Sequence, residues 1–173
     1  MAEVAPLVAD STPALDIKIH FQPDIAFSPS TWVTVAPSPI PRFEAQEAVV
    51  NGKLYVFGGF VNSKLEATKR SDVYDQATDT WTQLPDLPQA ITHAGVAVDG
   101  STIYMAGGFV GNWPTGIAKT VFKYNVTSKT WSMGPSLPQP RGAGALVRLG
   151  RELHFFGGLN ADKTADRPLG IQP

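Results

Sequence analysis

The chain has 173 residues, of which 43% are apolar, so it is long enough for one domain with an ordinary core, and disorder is not the expectation. Its 14 basic and 15 acidic residues are spread along the chain, giving a net charge of -1 and no basic stripe for nucleic acid or an anionic membrane. It has no cysteine, which excludes disulfides, thiolate metal sites and cysteine nucleophiles together.

Met1 to Pro13 carry no basic n-region and no long apolar core, and no 18-residue apolar stretch occurs anywhere. No signal peptide is visible, so the default expectation is cytoplasmic, and extracellular if the chain is a fragment of a larger secreted protein. Residues 1–30 read as a tail with one extra strand at Asp16–Gln22, where Ile17, Ile19 and Phe21 alternate with Lys18, His20 and Gln22. The wording from Ile17 to Pro23 resembles the opening of malectin-like carbohydrate-binding domains.

From Thr31 onward the chain repeats itself. Tyr55-Val56-Phe57-Gly58-Gly59 returns as Tyr104-Met105-Ala106-Gly107-Gly108 and as His154-Phe155-Phe156-Gly157-Gly158, with the glycine pairs 49 and then 50 residues apart. Trp32, Trp81 and Trp131 keep the same step, as do Pro39, Pro88 and Pro138. Three markers in one register define an internal repeat. Within a repeat, an apolar run to Val50 meets Asn51-Gly52, a strong hairpin signal, and Asp99-Gly100 and Leu149-Gly150 occupy nearly the same place later. Tyr74 precedes Trp81 by the seven residues that separate Tyr124 from Trp131. Four strands per repeat follow, with the aromatics as packing between stacked sheets.

Gly-Gly after a tyrosine-containing strand, then Tyr-Asp or Tyr-Asn, then Trp, with Pro-Arg opening the next unit, resembles the kelch repeat, including the kelch propeller of galactose-oxidase-like proteins. The resemblance runs from Trp32 to Gly158. It implies an all-β fold: a partial kelch-type β-propeller of about two and a half four-stranded antiparallel blades. Residues 31–158 form the repeats, in units of about 41–84, 90–134 and an incomplete 141–158, and 159–173 read as an irregular C-terminal tail. The Arg of the Pro-Arg opening stands at Arg42 and Arg141, but the middle unit has Ile91. The open edges of such a partial ring predict self-association.

In an up-and-down blade the long connections share one face, where binding residues usually lie. The candidates there are Arg42, Glu44, Asn62, Lys64, Arg70, His93, Asn112, Trp113 and Arg141, with Glu66 and Lys69 beside them. Trp113 lies outside the repeat pattern and could anchor a peptide or stack on a sugar. The resemblance raises an oxidase reading, but the copper site of galactose-oxidase-like enzymes needs a tyrosine crosslinked to cysteine, which this chain cannot supply. No catalytic residue, metal ligand or cofactor is assigned. The expectation is a non-catalytic interaction module using its long-loop face, with a protein or a glycan as partner and neither nucleic acid nor membrane insertion. Two alternatives stand beside it: a fragment of a larger extracellular glycan-binding protein, and the propeller part of an enzyme whose catalytic residues lie elsewhere.

Overall fold

The computed structural model describes residues 32–114 and 116–162. The chain divides into two units, residues 1–34 and 35–173. The strand expected at Asp16–Gln22 lies outside the described residues. Trp32 to Val35, expected to be a strand like the other tryptophan segments, is not in one. The later tryptophan strands each pair with a third strand of their own repeat, and no such partner for Trp32 exists among the described residues.

In the second unit the strands are β1 (Gln46–Val50), β2 (Lys53–Phe57), β3 (Ser71–Asp75), β4 (Thr80–Gln83), β5 (Ile91–Thr92), β6 (Gly95–Asp99) and β7 (Thr102–Ala106). They continue as β8 (Phe109–Val110), β9 (Gly116–Ile117), β10 (Val121–Asn125), β11 (Thr130–Met133), β12 (Ala145–Leu149) and β13 (Glu152–Phe156). Two four-stranded sheets run β1-β2-β3-β4 and β6-β7-β10-β11, and β12-β13 begins a third. Every pairing is antiparallel. These are two complete blades and the first half of another, as the repeat implies. The first strands lie side by side, β6 between β1 and β12.

Local chemistry explains the turns. Asn51 and Gly52 both have positive φ, 51° and 73°, as a type I′ hairpin requires. In the later blades the two turn residues are Gly100-Ser101 and Gly150-Arg151, one position beyond the dipeptides that the sequence suggests. There only the glycine has positive φ, the sign pattern of a type II′ turn. Asp99 and Leu149 therefore stay in their strands.

The paired glycines hold one blade to the next. The backbone carbonyl of Ile91 lies 2.4 Å from where a Cβ on Gly58 would stand, and that of Arg141 lies 2.1 Å from the same point on Gly107. Gly108 N then donates to the Arg141 carbonyl at 2.7 Å. No other residue leaves room for that crossing, and the φ values of +60° and +67° also favour glycine.

Between the first two blades, Phe57, Ile103, Met105, Phe122 and Tyr124 form one buried cluster. Phe57 meets Tyr124 and Trp131 edge-on, with centroids 5.7 and 5.3 Å apart. Each strand-borne tryptophan also reaches back one unit: Trp81 Nε1 donates to the Ala36 carbonyl at 2.9 Å, and Trp131 Nε1 to that of Pro85 at 3.0 Å. One repeat further on, the corresponding space is a cavity of about 370 Å³ lined by Tyr104, Ala106, Val121, Leu137 and Leu153 among others. Ala106 stands where Phe57 does, so the ring that fills the first interface has no counterpart in the second.

The two repeat tyrosines differ in what meets their hydroxyls. Tyr74 Oη donates to Asp79 Oδ1 at 2.7 Å, and the same carboxylate oxygen accepts from Ala36 N at 2.8 Å. Those two donors hold Asp79 below the ordinary carboxylate range. In the second blade Lys129 takes the place of Asp79, and the buried Tyr124 hydroxyl has no hydrogen-bond partner among the described residues. Burial, assisted by Tyr55, pushes it up to about 12. Removing an unsatisfied buried group is neutral or stabilising, whereas removing a satisfied one costs about 1 kcal/mol. Tyr124→Phe should therefore leave the denaturant midpoint unchanged or raised while Tyr74→Phe lowers it. Equal losses from both substitutions would contradict this account.

Candidate functional site

The second-to-third connections, 58–70 and 107–120, and the fourth-to-first connections, 84–94 and 134–144, emerge on one face. Sequence patterning reads them as loops, but they contain short strands. β8 pairs with β5 on one side and β9 on the other. The first blade repeats this through bridges from Phe60 to Phe43 and Ala67, and the third through Gly142 to Leu159. Each long connection is thus tied to the strand that enters its own blade.

A row of rings crosses this face. Phe43 packs on Phe60 at 5.6 Å, Phe60 on His93 at 6.3 Å, His93 on Phe109 at 5.0 Å, and Phe109 on Trp113 at 5.4 Å. Phe60 and Phe109 are buried. The loops also interlock: Trp113 N donates to the Leu65 carbonyl at 3.1 Å, and Ala67 N to Asn112 Oδ1 at 2.9 Å. Asn62 shapes its own loop, accepting from Lys64 N at 3.1 Å and donating to Glu66 Oε2 at 2.6 Å. Trp113 ends up at the tip of this interlocked pair of loops, 40% exposed. Lys64 and Lys69 are exposed nearby.

The structure brings Glu44 and His93 together. His93 Nε2 lies 3.2 Å from Glu44 Oε2, and its Nδ1 lies 3.0 Å from the Thr92 hydroxyl. The neutral tautomer with the proton on Nε2 satisfies both, with Thr92 donating to Nδ1 and His93 donating to Glu44. Hydroxyl, imidazole and carboxylate in a row have the order of a nucleophile, its base and an orienting acid. Thr92 is fully buried, however, so a substrate cannot reach its hydroxyl. Among the described residues no group of three histidine, cysteine, aspartate or glutamate side chains could hold a metal ion.

The arginines lie elsewhere. Arg42 and Arg141, expected on the loop surface, are inside the fold, and Arg141 is only 1% exposed. The reason for Arg42 is the buried carboxylate of Asp72, which it contacts through Nη2. Arg70 completes the arrangement, with Nε 3.1 Å from both oxygens of Asp72 and Nη2 2.9 Å from one. That bonding raises the Arg70 guanidinium above its ordinary value. In the second blade the positions of Arg42 and Asp72 are held by Ile91 and Phe122, both buried in the inter-blade cluster. An ion pair in one repeat is an apolar pair in the next, which accounts for the interrupted Pro-Arg pattern.

Asp72, Thr92, Phe60 and Phe109 are site residues that sequence reasoning missed. The phenylalanines carried a usable signal, because each directly follows a glycine pair. Asp72 carried none, since its counterpart is Phe122.

The family model described as the Kelch motif matches residues 48–88 and 90–138. Kelch-like protein terF of Aspergillus terreus is 39% identical over 64% of this chain and 26% of its own length. A kelch repeat-containing protein of Arabidopsis thaliana is 30% identical over 82% of this chain and 34% of its own. The chain therefore spans about a third or less of these relatives. The solved structure of YjhT superposes with a TM-score of 0.67 at 19% identity, over 82% of this chain and 56% of the other, a likeness of fold.

Breaking a buried ion pair by removing one partner costs about 3 to 5 kcal/mol, while exchange for packed apolar side chains is often neutral. Asp72→Ala should destabilise the protein by that amount in chemical denaturation. Arg42→Ile with Asp72→Phe, which copies the second blade, should recover most of it. A double variant as unstable as the single one would show that the two blades are not interchangeable at this position.

Proposed function

Since this chain belongs to the kelch-repeat family, whose proteins commonly act as protein-interaction modules, we propose that it is a non-catalytic module that docks a protein partner on its long-loop face. The observation that carries this is the hydrogen-bonded interlock of the loops from two blades, with Trp113 at its tip. Protein interfaces concentrate their energy in a few aromatic or arginine anchors, and a tryptophan held by a rigid scaffold loses little conformational freedom on binding. Arg42 and Arg70 contribute indirectly by pairing with the buried Asp72, and the surface is formed by Trp113, Asn112, Lys64, Glu44 and His93.

A photoreactive amino acid at Lys64 should crosslink the partner in extracts of the source cells. The same residue at Ser128, on the opposite face, should not. Trp113→Ala should weaken capture at Lys64 by roughly thirtyfold, the scale of a hot-spot anchor, while the protein still unfolds cooperatively. Equal capture from both faces, or capture indifferent to Trp113, would count against the proposal.

A further inference from the structure

Each blade packs on its neighbour through the same repeat positions. Between the first two blades, Val50 and Val98 belong to one cluster, and Phe57 lies against Tyr124 and Trp131. Between the second and third, the positions of Val50 and Val98 are held by Asp99 and Arg148, whose side chains meet at 3.1 Å. Among the described residues no further blade covers the outer face of the first blade or of the third.

Those two outer faces match each other. In the third blade Leu146 and Phe155 point toward the second, so Val147, Leu149 and Phe156 lie on the far side of the hairpin. Leu149 and Phe156 hold the positions of Val50 and Phe57 and are 56% and 41% exposed. In the first blade Ala48 and Phe57 point toward the second. Val49, Leu54 and Val56 therefore lie on the far side, in line with Tyr74 and Trp81 across β3 and β4. They hold the positions of Val98, Ile103 and Met105, and the two aromatics those of Tyr124 and Trp131. Val49 is 66% exposed, and Leu54 and Val56 are half-buried where Ile103 and Met105 are buried. Terminal units of a repeat array ordinarily present a polar outer face, and exposed apolar faces mark contact surfaces.

We propose that these faces are the two halves of one interface, and that the partner is a second copy of this chain joined head to tail. Leu149 of one copy packs on Val49 of the other, in the register of Val50 and Val98. Phe156 enters beside Tyr74 and Trp81, as Phe57 does beside Tyr124 and Trp131. Glu47 lies away from its hairpin turn and Glu152 beside its own, so these carboxylates do not oppose each other. Three blade positions per copy give two copies a ring of six, within the range of about four to eight known for propellers. A head-to-tail contact that closes in this way covers both faces of each copy.

Sedimentation velocity on the whole chain over a concentration series tests this, with a dimer as the expected assembled species. Leu149→Asp alone and Val49→Arg alone should each raise the concentration at the monomer–dimer midpoint about tenfold or more, because each sets an unpaired charge in an apolar contact. Both variants should still unfold cooperatively. Mixing them should restore a heterodimer, since one of its interfaces is then unaltered and the other copies the Asp99–Arg148 pair. Met133→Asp, at an exposed position on the outermost strand of the middle blade, should shift the midpoint less than about twofold. A monomer at every concentration, a dimer indifferent to both charges, or single variants that stay monomeric when mixed would overturn the inference.

Discussion

The fold depends on a close crossing of backbones at the ends of the second strands. Where Gly58 and Gly107 turn out of their blades, the chain entering the next blade passes so near that its carbonyl would overlap a β-carbon. The crossing fixes how adjacent sheets stack, and the stacking decides which side chains meet. Phe57 reaches Tyr124 and Trp131 because the blades are held at that separation. The same crossing sets the loops of neighbouring blades close enough to interlock through Asn112 and Trp113.

With that spacing set by the backbone, side chains could vary between repeats. Arg42 and Asp72 in one blade correspond to Ile91 and Phe122 in the next, and the Tyr74–Asp79 hydrogen bond to a buried tyrosine without an acceptor. The first exchange keeps both positions inside the fold while changing their polarity, which a stack of repeated sheets tolerates. A residue recurring in register is thus a poor guide to binding: Arg42 recurs as Arg141, and both side chains lie inside the fold. The irregular residues, Trp113 and the Glu44–His93 pair, stand at the surface.

The architecture was legible in the sequence because its determinants are local and repeated. Asn51-Gly52, the glycine pairs and the tyrosine-to-tryptophan spacing each impose geometry through backbone freedom or ring size. The site was less legible, because its determinants join residues far apart in the chain. Nothing in the sequence joins Arg42 to Asp72, or Glu44 to His93. Nor does it show that Glu44, His93 and Ala143 share a left-handed backbone, with φ of 54°, 54° and 57°, since of the three only histidine is enriched there. The short strands β5, β8 and β9 were hidden for a similar reason, being two residues each, too short for any period to appear.

The crossing itself can be tested by comparing two glycines of like conformation. Gly107 and Gly157 have φ of +67° and +65°, but an added Cβ would lie 2.1 Å from the Arg141 carbonyl at Gly107 and, among the described residues, meet nothing within 4 Å at Gly157. Denaturant unfolding of Gly107→Ala and Gly157→Ala separates the close approach from the backbone strain that both share. The account predicts a loss of about 1 kcal/mol at Gly157, from φ alone, and about 3 kcal/mol or more at Gly107. Equal losses at the two positions would mean that the glycine pairs serve only to turn the chain, contradicting the claim that they set the stacking of the blades.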